Sequence, residues 1–499
     1  MTNLVSILTT SADRHGHRPA IRLDDVVLSH AELDDLSARA AGWLRGSGVE
    51  PGDRVGLMLP NIVPFAVLYY AVLRAGAIVV PMNPLLKARE VEHHLRDSGA
   101  RLVLVSTQAA PEAQAAARGT GAEVVVADDG LVAGLGDLDA DLAPVARADD
   151  DTAVILYTSG TTGSPKGAQL THANLRLNAL GFGGLIGLTE QDVVMGSLPL
   201  FHAFGQSNCL NASVAVGACL TLVPRFEAEA ALRLVERDRV TVFAGVPTMY
   251  VTMLQAGAEG ADTSSLRVCV SGGASLPVEV LRGVEETFGA PILEGYGLSE
   301  TSPTATFNRP GRAKVGSIGI PIDGVEVRLV DRNGDEVGPG EVGEIVIRGH
   351  NVMKGYWGRP RATADAVVDG WFHSGDLATR DEDGFYYVVD RKKDLIIRGG
   401  FNVYPREIEE VLYAHPAVLE AAVVGVPHPT LGEEVAATVT LRPAYVVSAE
   451  ELRDHVKARV AAYKYPRHVW VMEALPKGPT GKILKRDIHA PEAVTASAG

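Results

Sequence analysis

One glycine- and hydroxyl-rich segment, residues 157–167, has the composition of a phosphate-binding loop. It reads Tyr-Thr-Ser-Gly-Thr-Thr-Gly-Ser-Pro-Lys-Gly and follows an apolar run typical of a buried strand. Glycines let a backbone approach a ligand closely, hydroxyls donate hydrogen bonds, and Lys166 adds positive charge, which together suit a polyphosphate. The segment is not a Walker A motif, because Pro165 and Gly167 stand where that motif needs Gly before the lysine and Ser or Thr after it. On composition alone, a solvated loop is the alternative.

Five further segments place polar side chains beside glycines, prolines or aromatic residues. They are 199–202 (Pro-Leu-Phe-His), 294–301 (Glu-Gly-Tyr-Gly-Leu-Ser-Glu-Thr), 371–376 (Trp-Phe-His-Ser-Gly-Asp), 390–400 (Asp-Arg-Lys-Lys-Asp-Leu-Ile-Ile-Arg-Gly-Gly) and 476–482 (Pro-Lys-Gly-Pro-Thr-Gly-Lys). With 157–167, these segments resemble, in order, the motifs of the adenylate-forming superfamily of acyl-CoA synthetases, luciferases and peptide-synthetase adenylation domains. The resemblance covers about residues 10–487, and among these groups it favours the fatty-acid–CoA ligases.

The resemblance implies an ATP site with magnesium. Tyr296 matches an aromatic residue that stacks on adenine, Asp376 an aspartate that accepts hydrogen bonds from both ribose hydroxyls, and Arg391 a guanidinium at the ribose or phosphate. Glu300 matches the carboxylate that holds Mg²⁺ against the triphosphate, with the Thr158 hydroxyl as a second ligand. The complete set implied for the nucleotide is Thr158, Ser159, Gly160, Thr161, Thr162, Gly163, Lys166, Gly273, Ala274, Glu294, Gly295, Tyr296, Gly297, Ser299, Asp376, Arg391 and Lys482.

Three residues match groups that act on the reacting atoms. Lys482 matches a lysine that the C-terminal domain delivers to the carboxylate and the α-phosphate, His202 a histidine between the carboxylate and phosphate sites, and Lys166 the loop cation. The implied reaction joins a carboxylic acid to ATP, giving acyl-adenylate and pyrophosphate, and then transfers the acyl group to coenzyme A. Lys393 matches the family hinge. The thiol path then runs beside Arg398, Gly399 and Gly400.

The implied acyl pocket is lined by His202, Gly245, Val246, Gly272, Gly273 and Gly297. Residues 202–206 contain no carboxylate for a substrate ammonium group, and Gly295 stands where malonate-type relatives carry arginine. An uncharged acyl tail is therefore expected. We expect a medium- or long-chain fatty acid, with an arylalkenoic acid of the cinnamate or coumarate type as the alternative. A non-catalytic sensor of nucleotide or acyl-adenylate is the alternative from another functional class.

The pattern of strands and helices that position these segments predicts an α/β protein. Candidate strands at 55–59, 101–106, 123–126, 154–157, 241–245 and 268–270 alternate with helices such as one opened by the capping box Ser29-His-Ala-Glu32. Short strands with turn signals follow at 315–390, and then a small α+β unit with helices after Pro405 and Ser448. We expect a large N-terminal domain, 1–389, of helix-covered sheets plus a β-rich subdomain, and a small, mobile C-terminal lid domain, 390–499.

The charge and the apolar and cysteine content of the chain indicate which classes of partner and which location to expect. The net charge of −15 argues against a nucleic-acid binder, although the residues from Arg391 onward include 15 basic and 13 acidic side chains. The longest apolar stretch, 66–82, is interrupted by Arg74 and Gly76, so no membrane span is expected, while peripheral membrane contact and the oligomeric state stay open. Three cysteines without metal-ligand spacing and an N-terminus without a secretion signal predict a cytoplasmic protein.

Overall fold

The computed structural model describes residues 3–138, 140, 143–158, 165–257, 260–443, 445–478 and 481–491. The helices are α1 (Ser6–His15), α2 (His30–Gly46), α3 (Val63–Arg74), α4 (Ala88–Ser98), α5 (Ala110–Thr120), α6 (Asp129–Gly134), α7 (His172–Leu185), α8 (Ala212–Val216), α9 (Ala228–Asp238), α10 (Pro247–Ala256), α11 (Val278–Phe288), α12 (Pro360–Ala366), α13 (Pro405–Tyr413) and α14 (Ala449–Lys457). Short 3₁₀ segments lie at Leu135–Asp137, Ser299–Thr301 and Lys485–Asp487, and a π-helical segment at Phe204–Asn211 leads into α8.

The strands follow the same chain order. They are β1 (Pro19–Leu23), β2 (Val26–Ser29), β3 (Arg54–Met58), β4 (Ile78–Pro81), β5 (Leu102–Val105), β6 (Glu123–Val126), β7 (Thr152–Thr158), β8 (Lys166–Thr171), β9 (Val193–Gly196), β10 (Cys219–Leu222), β11 (Val242–Gly245), β12 (Val268–Ser271), β13 (Ile292–Gly297), β14 (Thr304–Phe307), β15 (Ile320–Pro321), β16 (Val325–Val330), β17 (Gly343–Gly349), β18 (Gly355–Tyr356), β19 (Val367–Val368), β20 (Trp371–Arg380), β21 (Tyr386–Arg391), β22 (Ile396–Arg398), β23 (Phe401–Val403), β24 (Val418–His428), β25 (Gly432–Leu441) and β26 (His468–Val471).

Two large sheets form the centre of the N-terminal part, and the predicted α/β class is confirmed. One has the strand order β15-β14-β13-β12-β11-β9-β10-β1-β2, and the other β18-β8-β7-β4-β3-β5-β6. Their central strands pair in parallel, as the alternation of strands and helices predicts. The predicted capping box is also confirmed, because Ser29 and Glu32 exchange hydrogen bonds at the start of α2.

The apolar stretch at 66–82 lies in the core as α3 and β4. Every residue of α3 is buried, and Arg74 at its end is paired with Asp34 of α2. Among the described residues, no helix is both long and apolar enough to cross a membrane.

A third sheet, β16-β17-β20-β19 with β21 on β20, is antiparallel, as the turn signals in 315–390 predict. The C-terminal sheet β23-β22-β25-β24, with β26 on β25, carries α13 and α14. The division at 389/390 falls inside β21, which pairs with β20 through Arg391. Strand pairing therefore favours a domain boundary at 392–395, between β21 and β22, which remains a proposal.

The segment 157–167 connects two antiparallel strands, with Thr158 opposite Lys166. The helix that the sequence predicts after it, around 174–180, is α7, and β8 comes between the segment and this helix. Strand β8 is stabilised by pairing with β7 and β18 on its two edges rather than by its own hydrophobic pattern. The glycines at 295 and 297 predict a turn around Tyr296, and this prediction is wrong. Tyr296 lies within β13, because the flanking glycines are accommodated in antiparallel pairing with β14.

Candidate active site

A cavity of about 1530 Å³ opens between the N-terminal sheets and the C-terminal domain. It lies where β7, β11, β12 and β13 end, which is where ligands bind in α/β sheets. The structure brings most of the predicted site residues to its wall. These are Thr158, Lys166, His202, Val246, Gly272, Gly273, Gly295, Tyr296, Gly297, Ser299, Glu300, Asp376, Arg391, Lys393 and Lys482.

Other predicted residues are not at this wall. Ser159, Gly160, Thr161, Thr162 and Gly163 lie outside the described residues. Among the described residues, Gly245, Ala274, Glu294, Arg398, Gly399 and Gly400 are absent from the lining.

For Gly245 and Glu294 the reason is packing, and these two assignments are corrected. A Cβ on Gly245 would lie 3.1 Å from Phe243 Cζ and 3.2 Å from Tyr250 Cε2, so this glycine faces the core rather than the acyl group. Glu294 is buried, and its Oε1 accepts a hydrogen bond from the Leu276 N–H at 3.1 Å. Burial raises the pKa of the Glu294 carboxyl to about 7, with the charge of Arg406 opposing the rise.

Ala274 stays a prediction: at the end of β12, the cavity lining in the described structure includes Ser271, Gly272 and Gly273. Arg398 is paired with Glu434 inside the C-terminal domain, Nε to Oε1 at 2.5 Å. Gly399 and Gly400 are exposed beside it. In this arrangement of the domains, the predicted thiol path is therefore not part of the cavity, whereas Lys393 lies at its wall in the linker after β21.

A carboxylate and two hydroxyls meet at the end of the phosphate loop. Glu300 Oε1 accepts hydrogen bonds from Thr158 Oγ1 at 3.1 Å and from Tyr356 Oη at 3.0 Å. Lys166 Nζ lies 5.0 Å from the centre of the Tyr356 ring, within cation–π range. The four residues form a compact cluster of hard oxygen donors and one cation, which can hold a triphosphate and its metal ion.

A second carboxylate lies across the cavity. Asp376 Oδ2 accepts a hydrogen bond from Tyr296 Oη at 2.6 Å, and Asp376 Oδ1 lies 3.2 Å from Arg391 Nε. Burial and the neighbouring carboxylate raise the pKa of Tyr296 well above its usual value, so the phenol stays a hydrogen-bond donor. These contacts fix the ring and the carboxylate that are expected to bind adenine and ribose.

Lys482 enters the cavity from the C-terminal domain. Its burial, with added repulsion from Arg391 and Lys393, lowers its pKa to about 8, against the attraction of Asp376 and Asp394. Among the described residues, no hydrogen bond or ion pair holds its ammonium group. At neutral pH most of this lysine is charged and available to an anionic ligand.

His202 lies near this lysine and is uncharged. Burial, and secondarily the charge of Lys482, lower its pKa to about 4. Its Nδ1 accepts the Phe204 N–H at 3.4 Å, so the neutral ring carries its proton on Nε2. The ring can donate a hydrogen bond to a carboxylate without adding a charge.

The remaining wall of the cavity is formed by aromatic rings and a buried amide. A Cβ on Gly272 would lie 3.0 Å from Phe204 Cε1, and one on Gly295 would lie 2.6 Å from Phe307 Cδ2, so both rings pack onto glycines. Asn208 Nδ2 donates to Thr304 Oγ1 at 3.0 Å, and both residues line the cavity. Among the described residues, Asn208 Oδ1 receives only a 3.5 Å contact from the same hydroxyl, which leaves it able to accept a further hydrogen bond.

Reasoning from sequence missed Tyr356, Asn208 and Thr248. Tyr356 follows Gly355 in a short edge strand that carries no polar pattern, and Asn208 lies in the π-helical segment six residues after His202. Asn208 stands among other polar residues of the same segment, such as Gln206 and Ser207, so its type alone does not mark it. Nothing near Thr248 in sequence indicates its contact with Gly481, to which its hydroxyl donates at 3.1 Å.

Comparison with known proteins gives matches along almost the whole chain. Residues 8–357 match the family model described as AMP-binding enzyme, and residues 407–482 match the AMP-binding enzyme C-terminal domain. The chain is 41% identical to a feruloyl-CoA synthase of Amycolatopsis sp. over 95% of its own length and 96% of the relative's. It is 36% identical to a long-chain-fatty-acid–CoA ligase of Bacillus subtilis (strain 168), over 97% and 93%.

Among solved structures, the ATP-bound MatB of Rhodopseudomonas palustris superposes with a TM-score of 0.91 at 34% identity, covering 97% of each chain. The apo form of the same protein gives 0.80. The large N-terminal and small C-terminal domains of the chain are thus arranged more like the ATP-bound form.

Proposed function

The chain belongs to the AMP-binding enzyme family and is an AMP-forming acyl-CoA ligase, and from that premise we propose that its acid is an arylalkenoate with a polar ring substituent. The family reaction has two steps. A carboxylate oxygen attacks the α-phosphorus of ATP, which forms the acyl-adenylate as pyrophosphate leaves. The thiol of coenzyme A then attacks the acyl carbon, its proton is lost, and AMP leaves.

In the first step the protein must neutralise and align anions. We assign Lys482 to the carboxylate and the α-phosphate, and Lys166 to the outer phosphates. The neutral His202 ring orients the carboxylate from its Nε2–H. Tyr296, Asp376 and Arg391 hold the nucleoside end, supported by the contacts that fix Asp376 on both of its oxygens.

The oxygen donors at the phosphate end fit Mg²⁺. Glu300 is only 9% exposed, and among the described residues its second oxygen accepts no hydrogen bond. Glu300 and the Thr158 hydroxyl would hold the ion, whose charge would offset that of the triphosphate.

In the second step we propose that the C-terminal domain rotates about Lys393. This movement would withdraw Lys482 and bring the segment Arg398-Gly399-Gly400 to the cavity. The position of Lys393 in the short linker between β21 and β22 supports the proposal.

The choice of substrate rests on Asn208. An alkyl chain gains nothing from a buried amide oxygen, whereas a ring hydroxyl can donate to it. The rings of Phe204 and Phe307 beside the same space suit a flat group. The name of the feruloyl-CoA synthase relative agrees with this substrate class.

A medium- or long-chain fatty acid is the second candidate. It is favoured by the names of fatty-acid ligases that are 36–37% identical to the chain. It is also consistent with the lack of a charged side chain between Phe204 and Asn208 in the acyl wall.

A substrate panel tests the proposal. Pyrophosphate release would be measured with coenzyme A and acids from acetate to palmitate, together with malonate, cinnamate and ferulate. We expect the highest kcat/KM with ferulate. In Asn208→Leu the preference for ferulate over cinnamate should fall about tenfold, the scale of one hydrogen bond. Cinnamate lacks the ring hydroxyl and is the internal control, and a higher kcat/KM with palmitate would instead favour the fatty acid.

We also propose a cytoplasmic location. The three cysteines, Cys209, Cys219 and Cys269, are buried free thiols, which agrees with a reducing compartment. Fractionation of cells that express the chain at native level would test the location.

A further inference from the structure

A hydrogen bond between described residues joins the two domains directly beside Lys482. Thr248 is the second residue of α10 in the N-terminal part, and its Oγ1 donates to the carbonyl of Gly481 at 3.1 Å. Gly481 immediately precedes Lys482. A change in the Gly481 position therefore moves the backbone from which the lysine side chain projects.

The backbone of Gly481 approaches α10 as closely as a glycine allows. Its φ of +78° lies in the left-handed region. A Cβ at this position would lie 2.6 Å from Thr248 Oγ1 and 3.2 Å from Val246 Cγ2. The close approach and the hydrogen bond thus depend on the same missing side chain.

Gly481 is also held to the described residues on either side of it. The Gly481 N–H donates to Gly478 O at 2.9 Å, the Gly478 N–H donates to Lys482 O at 2.8 Å, and Lys477 forms a backbone bridge with Ile483. Fixing Gly481 therefore also restrains Gly478 and Lys482 against the cavity.

The lysine has no such restraint of its own. No described group bonds its ammonium, and a lysine side chain loses rotamer freedom when it is ordered. Preorganised placement of the chain before the reaction removes part of that cost from the catalytic step.

We infer that Thr248 is a positioning residue: its hydroxyl holds the Gly481 carbonyl in the adenylate-forming arrangement and so places Lys482 at the reacting carboxylate. The proposed rotation of the C-terminal domain about Lys393 would separate Gly481 from α10, so the contact would belong to the adenylate-forming arrangement alone. The inference rests on the proposed roles of Lys482 and Lys393, and it assigns Thr248 to the first half-reaction only.

The test is a single-turnover assay of each half-reaction. Thr248→Val keeps the shape of the side chain and removes the hydroxyl. We expect adenylation to slow about three- to tenfold, the effect of one hydrogen bond. KM for ATP should change less than twofold, and conversion of supplied acyl-adenylate to thioester should not change. Thr248→Ser should restore adenylation.

A matched control lies one turn further along the same helix. In the described part of the chain, the Thr252 hydroxyl donates to Met249 O of its own helix and to no other group, so Thr252→Val should leave both half-reactions unchanged. Gly481→Ala would disrupt the contact between Thr248 and Gly481 from the C-terminal domain, and it replaces Thr248→Val in the test if that variant does not fold. Combined with Thr248→Val, it should slow adenylation by less than the product of the two single effects.

Lys482→Ala, assayed in parallel, separates two kinds of failure. If it still forms pyrophosphate at the wild-type rate, the role of Lys482 is wrong and the inference falls with it. Two other outcomes overturn the positioning role of Thr248 alone. In the first, Lys482→Ala is inactive in adenylation while Thr248→Val adenylates at the wild-type rate. In the second, Thr248→Val slows both half-reactions equally.

Discussion

The two sides of the cavity hold their charged groups in opposite ways. On the N-terminal side, Glu300 Oε1 is bonded to two hydroxyls, and Asp376 is held on both oxygens. On the C-terminal side, the Lys482 ammonium has no described partner and depends on the contact between Gly481 and Thr248. The groups that we propose to hold the nucleotide are therefore fixed by side-chain contacts, whereas the lysine that we propose to act in one step is carried on the domain that we propose to rotate.

The charges differ between the same two regions. The residues from Arg391 onward carry 15 basic and 13 acidic side chains, within a chain of net charge −15. Lys482 reaches the cavity from the part of this segment beyond the proposed hinge at Lys393, whereas Arg391 lies in β21 and is paired with Asp376. We therefore propose that closure of the C-terminal domain brings the Lys482 cation to phosphates that the N-terminal carboxylates alone would repel.

The largest expected effect is that of Lys482→Ala, on the C-terminal side of the cavity. Loss of one preorganised donor at the developing charge typically costs about 10²–10³ in rate. We expect that loss in pyrophosphate formation, while supplied acyl-adenylate should still be converted to thioester. The measurement is a single turnover of each half-reaction, and equal loss in both would remove the asymmetry between the two sides.

The corresponding change on the fixed side is Glu300→Gln. Glutamine can still accept the Thr158 and Tyr356 hydrogen bonds but lacks the charge that a divalent cation needs. Changes in the outer shell of a metal site alone cost about 10–100-fold in affinity. The magnesium concentration for half-maximal adenylation should therefore rise at least about tenfold. An unchanged magnesium titration would exclude Glu300 from the metal site.

The sequence could predict whatever is coded locally. The capping box at Ser29 and Glu32, the parallel strands and the residues that line the cavity carry motifs or patterns within a few neighbours. The pairing of Thr248 with Gly481, and of Tyr356 with Glu300, joins distant segments that carry no local signal. Sequence reasoning therefore identified residues that line the cavity more readily than the residues that hold them in place.

The wrong site assignments of Gly245 and Glu294 also arise because the sequence carries no local signal for how these residues pack. Both belong to segments next to the cavity, but alternate residues of a strand point to opposite faces. Gly245 faces Phe243 and Tyr250, and Glu294 faces Leu276. Which face meets the ligand depends on the packing of the sheet.

The titration of Lys482 gives a further test of the C-terminal side of the cavity, with a smaller expected effect. Its pKa of about 8 lies below the usual lysine value because burial disfavours the charged form. The cation required for adenylation is present below that pKa and is lost above it. The kcat/KM for ATP in the adenylation step should therefore fall with rising pH, to about one tenth of its plateau at pH 9, since it reports the free enzyme.

Lys482→Arg is the control for this profile, because a guanidinium stays charged throughout the range. The variant should be slower than wild type at pH 7 but should show no fall between pH 7 and pH 9. A wild-type profile that stays flat to pH 10 would show that the charge of Lys482 does not govern the step.

The smallest expected effect is on the fixed side, at Tyr356. Tyr356→Phe removes the hydroxyl that donates to Glu300 at 3.0 Å but keeps the ring 5.0 Å from Lys166 Nζ. Since Thr158 still holds the same oxygen, we expect KM for magnesium-ATP to rise only about two- to tenfold, with little change in kcat.

Tyr386→Phe is a matched control for this last change. Its hydroxyl also donates to an oxygen, Val327 O at 2.7 Å, but it lies in the third sheet away from the cavity lining. It should lower thermal stability without changing KM for magnesium-ATP. Tyr356→Phe could instead lower kcat as strongly as Lys482→Ala. The position of Glu300 would then depend on the single Tyr356 hydroxyl, just as the position of Lys482 depends on Thr248. The two sides of the cavity would then not differ in how firmly their charges are held.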